Sequence, residues 1–318
     1  MSPHPTSLKP LTSHHEVIER ARILGQERGM AVVAVAAAEE DDVLAALNRC
    51  REEGIADAIL VGNPKRVKDA LTMVDIPHDQ FEIIPAESEE EAAAKTAELA
   101  ATGRAQIVMK GFMKTGTLLK TILKSEHGLR SSELVSHSAV LYVRRYNKLL
   151  NITDGGTLVA PNEDQKMTIL KNGLTVMRSV GIETPRVAVL GPSNSVREDV
   201  PETMETARLV ERARKELGDE LMIEGPMTLE RAVTYPVDIS DNPYGEVAGR
   251  ADILLVHSLE QGNIIAKTLI QFGGAIFMGV IAGAKVPISL VSRSDTLMNK
   301  MASVALAVCV AADQGRNR

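Results

Sequence analysis

A chain of 318 residues can bury a large core, and at about 150 residues per domain it predicts two domains that need no disulfide or metal staple. With 44% hydrophobic and 25% charged residues the composition is that of a globular protein, and a formal net charge of -6 argues against general attraction to nucleic acid or anionic lipid. Four Phe, four Tyr and no Trp leave little aromatic surface for base stacking and put the core on Ala, Val, Ile, Leu and thirteen Met.

Cys50 and Cys309 lie in helix-like patterns without CxxC spacing, so neither a disulfide framework nor a zinc cluster is expected. Met1–Lys9 is polar and Pro-containing, without the apolar stretch of a signal peptide. No run of about 18 apolar residues suggests a membrane span. The expected location is the cytoplasm, with no membrane partner.

In chain order, Met30–Ala36 is a continuous apolar run and predicts a strand, followed by a helix through Val43, Leu44, Leu47 and Cys50. Ala58–Val61 repeats the pattern, closes at Gly62-Asn63-Pro64 and leads into a second helix near Lys65. Glu82–Ile84, the helix Glu89–Ala101 and the strand Gln106–Met109 continue a βαβ rhythm. Strands that are apolar throughout imply a parallel sheet covered on both faces.

His137–Val143 and Leu149–Thr153 read as a hairpin, with Asp154-Gly155-Gly156 a tight turn. Helices follow at Gln165–Val180 and Glu202–Leu217, with strands at Val187–Leu190 and Leu221–Glu224. Asp238 and Asp241 read as turn residues rather than a metal site. Further strands are expected at Ile253–Val256, Ile276–Ile281 and Val286–Val291, with helices at Asn263–Gln271 and Thr296–Ala312. The fold class is α/β throughout. The seven histidines show no HExxH spacing, and His14-His15 in a polar segment are expected to be solvated.

Three segments carry candidate chemistry. Lys110-Gly111-Phe112-Met113-Lys114-Thr115-Gly116-Thr117-Leu118-Leu119-Lys120 follows a buried strand and opens a helix, where backbone N–H groups carry partial positive charge. Lys110, Lys114 and Lys120 add cations, and Thr115 and Thr117 add hydroxyl donors; Gly111 lets an anion approach the backbone. The order is neither a Walker A loop nor GxGxxG, and an ordinary turn with solvated lysines fits the local pattern equally well.

The second segment is Val286-Pro287-Ile288-Ser289-Leu290-Val291-Ser292-Arg293-Ser294-Asp295, a buried strand ending in Ser292-Arg293 with Ser294 or Asp295 a candidate helix cap. Ligands of open α/β sheets sit beyond strand carboxyl ends, and a fixed arginine holds phosphate bidentately. In the third, Gly262 and Asn263 open a helix after a strand, and the first reading of Asn263 is structural. Lys285 reads either as a surface residue or as part of an anionic-ligand pocket.

Taken in order, KGFMKTGTLLKTIL (110–123), GPM (225–227), VAGRADILLV (247–256), LEQGNIIAK (259–267) and GAKVPISLVSRSD (283–295) resemble the phosphate acetyltransferase and phosphate butyryltransferase family. SRSDT is closer in appearance to the butyryl branch than to the SRGCS-like pattern of the acetyl branch. The resemblance implies two α/β domains with an interdomain cleft, isocitrate/isopropylmalate dehydrogenase-like. Residues 1–130 together with 283–318 would form the first domain, and 131–282 an inserted second domain providing a homodimer contact.

It further implies attack of the coenzyme A thiolate on an acyl phosphate in a ternary complex, reversibly, with no metal and no cofactor beyond the thioester substrate. The site residues it implies are Ser292 near the CoA sulfur and Arg293 against transition-state charge; joined to the local readings above, phosphate and CoA are expected on Lys110, Gly111, Lys114, Thr115, Thr117, Lys120, Asn263 and Lys285. The lysine-rich turn and the Ser-Arg pair would then face one pocket. Lys120 stands where the acetyl branch has a phosphate-binding arginine, keeping the charge and losing the fork. Asn299 stands where that branch has its thiol base, which makes Asp295 the substitute. The alternatives are a non-catalytic acyl phosphate or CoA sensor like the domain appended to some malic enzymes, and a metal-dependent decarboxylating dehydrogenase, whose aspartates and nucleotide site are not found.

Overall fold

The computed structural model describes residues 9–218, 221–234 and 245–316; the turn expected at Asp238 and Asp241 lies outside the described residues. The chain opens with α1 (His14–Arg28), β1 (Ala31–Ala36), α2 (Asp41–Glu52), β2 (Ala56–Gly62) and α3 (Pro64–Met73), then β3 (Glu82–Pro85), α4 (Glu89–Ala101), β4 (Ile107–Lys110) and α5 (Thr115–Ile122). It continues through β5 (Ser136–Val143), β6 (Lys148–Thr153), α6 (Glu163–Ser179), β7 (Val187–Leu190), α7 (Pro201–Leu217), β8 (Ile223–Met227), α8 (Leu229–Val233), β9 (Ile253–Leu255) and α9 (Leu259–Gln271). It closes with β10 (Ile276–Ala282), β11 (Ile288–Ser289) and α10 (Leu297–Arg316).

These elements form two compact units. The first takes His14–Glu133 and Phe277–Arg318; the second takes Met1–Ser13 and Leu134–Ile276. In the first unit the strand order is β3-β2-β1-β4-β11-β10, parallel except for β10 against β11. In the second it is β5-β6-β9-β7-β8, parallel except for the β5–β6 hairpin.

The apolar runs explain the sheet of the first unit. Val33, Val35, Leu60, Val61, Ile107 and Met109 are all fully buried, as strands covered by helices on both faces require. α10 is buried from Met301 through Val310 without interruption, because α1 and α2 pack against it. That coverage accounts for α1, for which the sequence gives only a thin stripe: Val17, Ala21 and Leu24 are buried at helical spacing. His14, expected to be solvated, is buried with them, and burial pushes its imidazole below the usual histidine range, with His15 adding to the push. Both cysteines are buried free thiols, and desolvation raises each to about 12, so neither is a nucleophile at neutral pH.

Among the element ends that differ from expectation, three bear on the candidate site. The regular ladder of β11 covers only Ile288–Ser289 rather than Val286–Val291, since Pro287 has no N–H to donate. α9 starts at Leu259, four residues before Asn263, capped by the Ser258 hydroxyl accepting the Gln261 N–H at 3.2 Å. α10 is capped by Thr296, whose hydroxyl accepts the Asn299 N–H at 3.2 Å, rather than by Ser294 or Asp295.

Candidate active site

In the first unit, β1 leads outward to β2 and β3 on one side, while β4 pairs on its other side. The strand order therefore reverses between β1 and β4, and beyond the carboxyl ends of such a pair the diverging connections leave a crevice for ligands. Lys110 and Gly111 lie at that end of β4. The Gly111 N–H donates to Ala36 O at 2.9 Å and the Phe112 N–H to Ala37 O at 2.7 Å. A Cβ at Gly111 would overlap the Ala37 carbonyl oxygen, so the β4 turn comes as close to the end of β1 as glycine alone allows.

β11 runs parallel to β4, with Ser289 opposite Met109, which brings Ser292 and Arg293 to the same end of the sheet. The Arg293 guanidinium lies 4.2 Å from the centroid of the Phe112 ring. Phe112 is 42% exposed, so the stack contributes about 0.5–1 kcal/mol and chiefly orients the fork. Lys110, nearly buried, donates from Nζ to Gly111 O at 3.0 Å and Met113 O at 3.3 Å. Burial pushes its ammonium below the ordinary lysine range; Arg293 adds to the push, and Glu40 and Glu89 oppose it.

The loop after β11 is tied to itself. Asp295 is buried and its Oδ2 accepts the Ser292 N–H at 2.6 Å, while Ser292 Oγ and Ser294 Oγ are 3.1 Å apart. Asn299 is also buried, with Oδ1 accepting the Phe277 N–H at 3.2 Å, so this position fastens the start of β10.

The N-terminus of α5 adds the last component. Its flanking residue Lys114 gives no side-chain cap, and Thr115 and Thr117 sit in the first turn. The uncapped N–H groups there carry partial positive charge. Lys120 lies in the last turn of α5 and lines a cavity of about 600 Å³ with Lys124, Ser125, Glu126 and Arg130. Lys285 precedes β11, at the opposite end from Ser292, and its N–H donates to Leu129 O at 2.7 Å beside that cavity.

Lys110, Gly111, Lys114, Ser292, Arg293 and Asp295 thus meet at one end of the sheet, with Thr115 and Thr117 adjoining and Lys120 and Lys285 further off. Asn263 belongs to the second unit, exposed in the second turn of α9. There Gly262 abuts Gly155: a Cβ on Gly262 would lie 2.7 Å from Gly155 Cα. The Asp154-Gly155-Gly156 turn is held by the Asp154 carboxylate, which accepts the N–H groups of Gly156, Thr157 and Leu158.

Sequence reasoning passed over Phe112, Glu40 and Glu89, because a loop aromatic or acid gains meaning only from the partner that the fold brings to it. It also passed over a polar cluster in the second unit. Lys166 is buried, with Nζ 2.6 Å from Glu205 Oε1 and 3.1 Å from His257 Nδ1. His257 Nε2 lies 2.7 Å from Leu190 O, so Nε2 carries the proton and Nδ1 accepts from the ammonium. Burial holds this imidazole below the usual range and Lys166 adds to that; the Leu190 carbonyl, Glu205 and Glu202 oppose it.

Because the folded value is depressed from 6.5, the unfolded chain takes up the proton first. This contribution to stability is complete above about pH 6.5 and is lost as pH falls through the folded value. The melting temperature is expected to fall between about pH 7 and about pH 5, and His257→Gln to flatten that fall. An unchanged slope in the variant would remove His257 as its source.

The fold defines an α/β protein in which a lysine-bearing strand-to-helix turn and a serine-arginine loop meet at one end of a parallel sheet. Comparison with known proteins gives the class a family: residues 14–100 and 89–308 match the family described as phosphate acetyl/butaryl transferase. Phosphate butyryltransferase of Clostridium acetobutylicum is 33% identical over 304 residues, covering 96% of this chain and 100% of the relative. Phosphate acetyltransferase of Thermotoga maritima is 31% identical over 296 residues, covering 93% and 99%. The crystal structure of a branched-chain phosphotransacylase from Enterococcus faecalis V583 superposes with a TM-score of 0.75 at 27% identity, covering 89% of this chain and 99% of that one. The chain belongs to the phosphate acetyl/butaryl transferase family and is a phosphate acyltransferase.

Proposed function

We propose that the acyl group is short, butyryl in preference to acetyl, and that it passes reversibly between coenzyme A and inorganic phosphate. The thioester is a substrate, and the reading calls for no resident cofactor or metal. In the direction of acyl phosphate synthesis, a phosphate oxygen attacks the thioester carbonyl, the C–O bond forms as the C–S bond breaks, and the CoA thiolate leaves to take up a proton. In reverse the thiol gives up its proton and the thiolate attacks the acyl phosphate.

The observation that carries this reading is the Arg293 guanidinium stacked on Phe112 beside Lys110, at the reversal of strand order and next to the uncapped start of α5. Fixed cations and N–H donors there suit the charge that grows on phosphate and carbonyl oxygens in the transition state. Ser292 is assigned to the CoA sulfur, and Lys110, Gly111, Lys114, Thr115, Thr117 and Lys120 to phosphate and CoA. Lys285 stands at the opposite end of β11 from Ser292 and Asn263 on α9 of the second unit, so neither is carried into this binding set. Asp295 Oδ2 is committed to the Ser292 N–H, so the thiol proton is assigned to Oδ1.

The test is release of CoA thiol from butyryl-CoA and acetyl-CoA with and without phosphate. Release that requires phosphate, runs faster with butyryl-CoA and is insensitive to EDTA is expected; binding without turnover would mean a sensor instead. Asp295→Asn is expected to slow thiol attack on butyryl phosphate by about 10²-fold, and an unchanged rate would send the proton elsewhere. A homodimer belongs to the same proposal, supported by Ile264 on α9 and Phe272 just past its end, which are 57% and 89% exposed; a monomer in sedimentation equilibrium would remove it. So do a cytoplasmic setting, supported by two free thiols, and the isocitrate/isopropylmalate dehydrogenase-like fold, supported by two α/β units.

A further inference from the structure

Lys300 is among the largest fully buried side chains of the protein, 1% exposed in the first turn of α10. Buried ammonium groups are costly unless they are paired and hydrogen-bonded. Here the acid nearest to it is Asp42, at the start of α2, with Oδ2 at 3.8 Å and a side chain 69% exposed. The shorter contacts are to backbone: Nζ donates to Asp295 O at 2.7 Å and to Arg293 O at 3.4 Å. The cation is therefore spent on two carbonyls of the loop that carries Ser292 and Arg293.

The geometry points to Lys300 as a positioning residue for this loop: its ammonium, anchored on a helix buried from Asn299 through Val310, fixes the backbone from which Arg293 reaches Phe112. Three ties then hold one short segment: the Asp295 carboxylate on the Ser292 N–H, the guanidinium on the Phe112 ring, and Lys300 beneath the carbonyls. The first acts within the loop and the second at an exposed ring, whereas Lys300 joins the loop to the helix beneath it. Without that tie, Arg293 keeps its chemistry and loses its pose, and misplacement of a catalytic group by about 1 Å costs on the order of 10²-fold in rate. The inference rests on the acyl-transfer reading for its kinetic consequence but not for the tether itself.

The experiment compares wild type, Lys300→Met, Arg293→Ala and the double variant in the phosphate-dependent thiol assay. Lys300→Met is expected to lower kcat by at least about tenfold, with the KM for phosphate nearly unchanged. In the double variant the loss is expected to be no larger than that of Arg293→Ala alone, because both changes remove the same positioned guanidinium. A general loss of structure would instead multiply the two effects, and that outcome, or Lys300→Met turning over at the wild-type rate, overturns the proposal. If the methionine variant does not fold, Lys300→Gln, which is polar but one atom too short to reach the Asp295 carbonyl, repeats the comparison with the same expected outcomes.

A second readout needs no turnover. Arg293 is an exposed trypsin site on the tethered loop, and cleavage after it is expected to speed up about tenfold in Lys300→Met, as local opening becomes easier. Equal cleavage rates in variant and wild type overturn the tether. A wild-type protein with no phosphate-dependent thiol release defeats the acyl-transfer reading instead, and the cleavage rates still decide the role of Lys300.

Discussion

Arg293→Ala is expected to lower kcat and kcat/KM together by about 10²-fold or more, the loss usual for a contact to charge that develops in the transition state. The structure lets this effect be separated from damage to the fold. Arg293 is exposed, and its evident partner is the Phe112 ring at 4.2 Å, a stack worth about 0.5–1 kcal/mol at such a site. The melting temperature should therefore fall by no more than a few degrees while turnover collapses. Arg293→Lys is expected to recover little, because an ammonium keeps the charge but neither stacks flat on the ring nor offers two parallel donors to a phosphate. Steady-state kinetics with butyryl-CoA and phosphate, read beside thermal unfolding, decide the matter. Turnover unimpaired in the alanine variant would take Arg293 out of the mechanism.

That such a residue could be picked from the sequence at all reflects how parallel sheets are written. Continuous apolar runs mark buried strands, and whatever follows each run stands at the carboxyl end, where ligands bind. Lys110-Gly111 and Ser292-Arg293 were visible separately for that reason, as were α4 over Glu89–Ala101 and β7 over Val187–Leu190. Their adjacency was not visible from local pattern, because only the sheet order sets β11 beside β4. Phe112 escaped for the same reason, since Arg293 is distant along the chain; Lys300 lies only five to seven residues from the carbonyls it holds and escaped because its burial is not written in the local pattern. The start of α9 was misread because Gly262 looks like a helix breaker, whereas it is there to let the helix touch Gly155. α1 went unread because its stripe of Val17, Ala21 and Leu24 is stabilised by α10, packed against it from the other end of the sequence.

The sharpest structural test of the site is Gly111→Ala. The backbone of Gly111 is not in a left-handed conformation, so the cost of a methyl group there is steric. The added carbon would overlap Ala37 O and lie 2.9 Å from Ala36 O. Both oxygens belong to backbone that cannot rotate away, and both accept hydrogen bonds from the turn itself, from Phe112 and Gly111. Relief requires the end of β1 and the β4 turn to move apart, at about 1–3 kcal/mol for overpacking and about 1 kcal/mol for each hydrogen bond weakened. A loss of about 3 kcal/mol should lower the melting temperature by roughly 6–12 °C. Since the same movement carries Lys110 and Phe112 away from Arg293, turnover should drop by about 10²-fold in the protein that remains folded. Gly116 is the control: a Cβ there meets nothing within 4 Å, and alanine inside a helix should stabilise by about 0.5–1 kcal/mol. If Gly111→Ala melts and turns over like wild type, the close approach of β4 to β1 is not what builds the cradle, and the pose of Arg293 must be set by the loop after β11 alone.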